Sequence, residues 1–174
     1  MRVTEVRWSC PPVGWHKANV DGAAHGQPGL AACGGIFRTH RGYIHGCYAM
    51  PLGVQNSMYA ELMGVIRAIE IAVVMNWFPL WIESDSEVLV QKLKKRSMEV
   101  PWSIKNRWRN ALDSLVGRMY MVTHIYREGN YVADALANMG LELDDFTWWY
   151  RIPRNAERAY ERNLYCLSEY RFRF

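Results

Sequence analysis

Three consecutive stretches with two-residue alternation, followed by stretches that switch between helical and strand periodicity, leave this chain few folds to choose from. From Trp15 to Asp21, His16, Ala18 and Val20 alternate with Lys17, Asn19 and Asp21, the pattern of a strand with one polar face. Gly22 to Gly29 reads as a turn-rich loop. Cys33–Arg38 and Tyr43–Ala49 are strand-like runs joined by Thr39-His40-Arg41-Gly42, which together predict a three-strand antiparallel meander. The period then changes. Leu62, Met63, Ile66, Ile69 and Val73 recur at helical spacing after a candidate cap at Ser57, and this helix ends near Asn76. A strand at Leu80–Ser84 leads into a helix from Ser86 to Lys95, where Ser84 and Glu87 have capping-box spacing. A third helix follows Pro101, with Ser103 as candidate cap and Ile104, Trp108, Ala111, Leu112 and Leu115 on its buried side. A strand at Met119–Tyr126 and a helix at Tyr131–Met139, capped by Asn130, complete the order β-β-β-α-β-α-α-β-α. That order predicts an α/β domain with a mixed five-stranded sheet, three antiparallel strands extended by parallel ones, flanked by helices.

At 174 residues, half of them apolar, the chain supports one sizeable core. The expected organisation is an extended leader over 1–13, a domain over 14–140, and an aromatic and basic extension over 141–174. Asn155 is the expected cap of a short helix in that extension. Cys10, Cys33, Cys47 and Cys166 have neither zinc spacing nor the density of a disulfide scaffold, so an intracellular, reducing setting is expected. The N-terminal segment lacks the apolar core of a signal peptide. The longest apolar stretch, from Met58 to Met75, is interrupted by Glu61, Arg67 and Glu70, so no membrane partner is expected. A net charge of +4 is compatible with an anionic partner without demanding one.

Four acids decide the chemistry. Taken singly, each has an ordinary explanation: Asp21 precedes Gly22 as turn aspartates do, Glu61 and Asp134 favour the first turns of their helices, and Asp85 lies where a helix cap is needed. Taken together, two close strands expected to be neighbours and two open helices packed on the same sheet, so all four can converge at one end. Carboxylates brought together repel and raise one another's proton affinity, and a divalent cation relieves that repulsion. Oxygen-only donors select magnesium or manganese over zinc. Two such ions can activate a water and stabilise the departing 3′ oxygen across a phosphodiester, with no nucleophilic side chain.

The segments GWHKANVDGA, CGGIFRTHRGYIHG, NSMYAELMGVIRAIEIA, LWIESDSEVLVQKL, VPW and HIYREGNYVADALANMG, in this order and spacing, resemble the type 1 ribonuclease H domains of plant genomes related to non-LTR retrotransposons. The resemblance spans roughly residues 8 to 140. It implies a ribonuclease H-like fold, with Asp21, Glu61, Asp85 and Asp134 as the metal-binding set for two Mg2+ ions (Mn2+ substituting) and an RNA/DNA hybrid as partner to a monomer. It also places Gln27 and Asn56 where the wider family contacts the nucleic acid backbone, as amides able to bond phosphate or the ribose 2′-hydroxyl. Lys92 and Lys95 of the KLKKR run, with Arg127 and Asn130 of the segment before Asp134, are the remaining candidate contacts.

Two departures from the family pattern matter. The longer loop that carries a histidine before the last aspartate is shortened here to REGN, where Arg127 and Glu128 stand instead, and His124 lies upstream inside a strand. No long basic protrusion follows Asp85; KLKKR, Lys105, Arg107 and Arg109 supply the nearby charge. Two readings follow: an RNA/DNA-hybrid endonuclease, or a domesticated retroelement-derived domain that binds nucleic acid with little or no cleavage. A third, a protein-interaction module using Trp148, Trp149, Tyr150 and Tyr160, rests on the aromatic extension alone.

Overall fold

In the computed structural model, which describes residues 1–174, the meander expected from the alternation forms the centre of the sheet. Strands β2 (His16–Gly26), β3 (Gly29–Arg38) and β4 (Ile44–Gln55) pair antiparallel in sequence order, after a short β1 (Arg2–Val6) that lies outside this sheet. Helix α1 (Ser57–Met75) crosses back to β5 (Leu80–Ser84), which pairs parallel with β2; α2 (Glu87–Lys95) and α3 (Lys105–Ser114) lead to β6 (Tyr120–His124), parallel to β5. Helix α4 (Tyr131–Gly140) follows. The expected five strands are six: β7 (Thr147–Trp149) adds to the far edge of β4, giving the order β6-β5-β2-β3-β4-β7.

The sheet is covered on both faces, which corrects the one-polar-face reading of β2. Ala18 and Val20 pack with Leu62, Ile66 and Ile69 of α1 and Trp108 of α3 in the larger core. On the opposite face Ile36 and Cys47 pack with Val132 and Leu136 of α4 and with Ala156 and Tyr160 of α5 (Arg154–Leu164). The polar residues of β2 are therefore buried too. Lys17 is 0% exposed, lies over the rings of Trp8 and Trp81, and pairs with Glu83 at 3.0 Å. Burial pulls its ammonium down to about 8, against the pull of the Glu83 carboxylate.

Residues outside 14–140 belong to this packing. Phe37, Trp77 and Trp148 form an aromatic cluster with ring centroids 5.0 to 6.3 Å apart. A side chain at Gly46 would meet Trp148 at 2.0 Å, so the glycine makes the groove that the tryptophan fills. The leader supplies Trp8, whose Nε1 donates to Asn19 Oδ1 at 2.8 Å, and β1 pairs antiparallel with β8 (Glu169–Arg173). Trp148 and Tyr160 thus serve packing, while Tyr150 is 70% exposed.

Several local expectations change. The loop expected over 22–29 is mostly strand, because Ala23 and Ala24 pair with Ala32 and Ala31 and the reversal is confined to Gln27 and Pro28. Asn56, not Ser57, caps α1: its Oδ1 accepts from Tyr59 N at 2.8 Å. Ser86 caps α2 by accepting from Leu89 N, so Ser84 and Glu87 form no capping box. A 3-10 turn at Trp102–Ile104 precedes α3 where Ser103 was the expected cap. Asn155 lies inside α5, which starts after Pro153. No helix is long and apolar enough to cross a membrane, and all four thiols are free.

Candidate active site

The parallel ladder between β2 and β5 ends at Val20↔Ser84, so the next residues, Asp21 and Asp85, leave the ladder side by side. Glu61 comes from the first turns of α1, and Asp134 from the first turn of α4. The four carboxylates line one cleft of about 360 Å3 together with Gly22, His25, Ser57, Arg127 and Asn138. They ring it from four elements.

Two glycines let the elements come this close. Gly22 holds the backbone of α1, for an added Cβ would lie 2.4 Å from Ala60 C and from Glu61 N. Gly34, paired with Asp21 across β3, does the same for α4, where a Cβ would lie 2.6 Å from Ala137 N. Asp21 and Glu61 are thus drawn together by missing side chains. The reading of Gly22 as a turn glycine gives way to one of close approach in mid-strand.

The electrostatics follow from crowding. Burial, then the neighbouring Asp85, holds the Asp21 carboxyl well above the usual range, although the Gly22 N–H donates to Asp21 Oδ1 at 2.8 Å. Burial and Asp85 also raise Glu61, with a Ser86 hydrogen bond opposing. Asp85 is raised by burial and by Asp134, while a backbone N–H, Arg127 and Asn130 pull the other way. An oxygen-only donor set with raised proton affinity fits hard divalent cations, and Asp21, Glu61, Asp85 and Asp134 are the residues that would hold them.

The other sequence candidates divide. Arg127 reaches the cleft, its guanidinium 3.4 Å from Asp134 Oδ1 and its side chain 66% exposed. Gln27 stands at the rim, donating from Nε2 to Ser57 Oγ at 3.0 Å, and Asn56 is exposed beside it. Lys92 donates to the Glu99 carbonyl at 2.6 Å, and Lys95 lies with it on the far part of α2, about 10–15 Å along the helix from Asp85 by helical rise. Neither joins the cleft. Asn130 is a correction, being 2% exposed with its side chain spent inside: Nδ2 donates to Val20 O and Oδ1 accepts from Asn19, both at 3.0 Å. It positions the strand ends rather than facing a partner. His25 and Asn138, both on the cleft wall, carried no motif that could have singled them out. His124 is exposed at the end of β6 with Nε2 3.2 Å from the Asp85 carbonyl, closer to the acids than its strand position suggested.

An open acidic cleft at the end of this mixed sheet defines a ribonuclease H fold. The chain belongs to the reverse transcriptase-like family, whose model matches residues 19–140. It is 37% identical over 142 residues to a protein of Arabidopsis thaliana that carries a provisional ribonuclease H name, and 29% identical over 126 residues to ribonuclease HI of Halobacterium salinarum. These matches cover 79% and 72% of this chain but only 22% and 63% of the two relatives. The crystal structure of the Halobacterium RNase H1 superposes with a TM-score of 0.64 over 73% of this chain and 97% of that one. An RNase H1 from a compost metagenome, solved in complex with an RNA/DNA hybrid, matches at 0.65 and 22% identity over 73% of this chain and 96% of that one, which speaks to the fold.

Proposed function

We propose that this protein hydrolyses the RNA strand of RNA/DNA hybrids. The observation that carries the reading is the convergence of Asp21, Glu61, Asp85 and Asp134, from two strands and two helices, on one solvent-reached cleft. Two divalent ions, Mg2+ or Mn2+, would supply an activated water and charge stabilisation at the leaving 3′ oxygen. The carboxylates hold and orient; none attacks. Ser86 beside Glu61 and Asn130 beside Asp85 favour the charged forms of the two carboxylates against the effect of burial. Arg127, exposed at the rim, donates to a phosphate oxygen when it leaves Asp134, and the Gln27 and Asn56 amides meet sugar and phosphate on the opposite wall. The relatives' names support the substrate class.

The test is cleavage of an end-labelled RNA/DNA hybrid, with duplex RNA and duplex DNA beside it, in Mg2+ and then Mn2+, for wild type and Asp85→Asn. Hybrid-specific cutting of RNA, lost in the variant, is the expected result. A folded wild type that binds hybrid but cuts nothing in either metal overturns the nuclease and leaves a domesticated binding domain. That second reading draws on the REGN turn, which puts Arg127 where the family pattern has a longer loop with a histidine.

A further inference from the structure

Trp8 lies outside the residues that match the family, yet it is 3% exposed and has a polar atom to place. Its indole N–H donates to Asn19 Oδ1 at 2.8 Å. Asn19, buried in turn, passes its own N–H groups onward: Nδ2 lies 3.0 Å from Glu83 Oε1 and 3.0 Å from Asn130 Oδ1. With its oxygen turned to Asn19, the Asn130 amide has only donors left, and Nδ2 reaches Val20 O at 3.0 Å. The same side chain stands beside Asp85, and the Asn130 carbonyl accepts from Asp134 N at 3.1 Å. One buried residue thus touches the residue before Asp21, the Asp85 carboxylate and the backbone of Asp134.

These bonds run in one direction. An indole only donates, and the Glu83 carboxylate, 3.0 Å from Lys17 Nζ, accepts. Asn19 therefore shows its oxygen to Trp8 and its nitrogen to Glu83 and Asn130; turned over, it would set oxygen against oxygen on both of those sides. Asn130 inherits the orientation, so Asp85 meets an amide N–H and not an amide oxygen. Buried polar groups linked in this way reinforce one another while each is satisfied, and removing a donor strands the acceptor it served. Trp8 is that donor for Asn19 Oδ1. Its ring has a second use, lying 4.7 Å from Lys17 Nζ and 3.8 Å from the Arg38 guanidinium. Phenylalanine keeps a ring for those contacts and removes the N–H.

We propose that Trp8 is a positioning residue for the acidic site, acting through Asn19 and Asn130 to hold Asp85 and the backbones at Asp21 and Asp134 in the arrangement that receives a divalent ion. This rests on the proposed function, in which the four carboxylates hold Mg2+. A segment that precedes the family match is then part of the site's support, since partners behind a metal's ligands set how well those ligands bind.

The test uses the full chain with Mg2+ and no substrate. NMR on isotopically labelled protein follows the Trp8 indole N–H, identified as the resonance that Trp8→Phe removes, beside that of Trp108, whose N–H donates to Ser97 O at 2.7 Å apart from these bonds. The Trp8 resonance is expected to shift with the same Mg2+ midpoint as the Asn130 side-chain amide, while that of Trp108 stays still. Trp8→Phe lowers Mg2+ affinity by roughly threefold to tenfold, less than the loss of a direct partner of a ligand because two amides intervene. Trp108→Phe, which also removes a buried indole donor, leaves the affinity unchanged. In an Asn130→Ala background Trp8→Phe changes the affinity by less than about twofold, since the link is already cut. An equal loss with and without Asn130 means that Trp8 serves packing alone and overturns the proposal, as does a Trp8 resonance that ignores bound Mg2+. Should Asn130→Ala fail to fold, the resonances and the comparison of Trp8→Phe with Trp108→Phe decide. If Mg2+ moves the Asp85 and Asp134 resonances but spares Trp8, only the positioning role falls. If it moves none, and Asp85→Asn titrates as wild type does, the metal reading falls and the positioning role with it.

Discussion

Replacing Gly22 with alanine tests whether the acidic site depends on the close approach of β2 and α1. The added Cβ would lie 2.4 Å from Ala60 C, 2.4 Å from Glu61 N and 2.8 Å from Ala60 Cβ. Ordinary contact begins near 3.4 Å, so the two backbones must part by about 1 Å. Neither side yields easily, since β2 is paired with β3 through Gly22 and beyond and α1 buries Leu62, Ile66 and Ile69 in the larger core. Overpacking of this kind costs about 1–3 kcal/mol. In a chain of this size that lowers the thermal midpoint by about 2–12 °C. The activity loss is larger in proportion, because the displaced atom is the amide of Glu61 itself. A misplacement of about 1 Å at a reacting centre costs on the order of a hundredfold in rate. Circular dichroism gives the midpoint, and initial rates of hybrid cleavage across a magnesium titration give the activity. A folded Gly22→Ala protein that cuts within threefold of wild type would refute the argument.

Two further predictions follow from the buried charges. Asp21, Glu61 and Asp85 have raised proton affinity in the folded chain, so between the ordinary carboxylate range and their raised values the native state holds protons that the unfolded chain has released. Their stabilising contribution is complete below the ordinary range, and metal-free stability falls as pH rises through that window. Each tenfold change in proton affinity is worth about 1.4 kcal/mol. Melting in EDTA from pH 4.5 to 7 should therefore show a fall that Asp21→Asn makes shallower and that Mg2+ offsets; identical slopes for wild type and variant would count against the crowding. Lys17→Met strands the Glu83 carboxylate, whose side chain is 6% exposed, and should cost about 3–5 kcal/mol, most of it restored by adding Glu83→Gln. Urea titration of the single and double variants checks this, and a double variant as unstable as the single one would contradict it.

The layer order and the four acids were legible in the chain because both depend on local pattern. Period-two alternation in β2 to β4 and helical spacing in α1 depend on neighbours a few residues away, and each acid sits at a boundary between such patterns. The alternation also misled. Lys17, Asn19 and Asp21 looked like a solvated face, yet α4 and Trp8 cover them, and nothing within seven residues of β2 announces residues more than a hundred positions downstream.

What the sequence determined by itself was the succession of elements, the identity of the acids and their family resemblance. What only the tertiary structure decided was their mutual distance and their surroundings. The ladder of β2 and β5 stops one residue short of Asp21 and Asp85, Gly22 and Gly34 admit the two helix backbones, and Asn130 turns inward to Asn19 and Val20 instead of outward. The sixth strand and the β1–β8 ribbon belong to the same class, since each joins segments separated by about a hundred residues or more. Pairings of this range are chosen by the surface each partner finds once the core has formed, and a short strand such as Thr147–Trp149 carries too little local preference to declare its neighbour in advance.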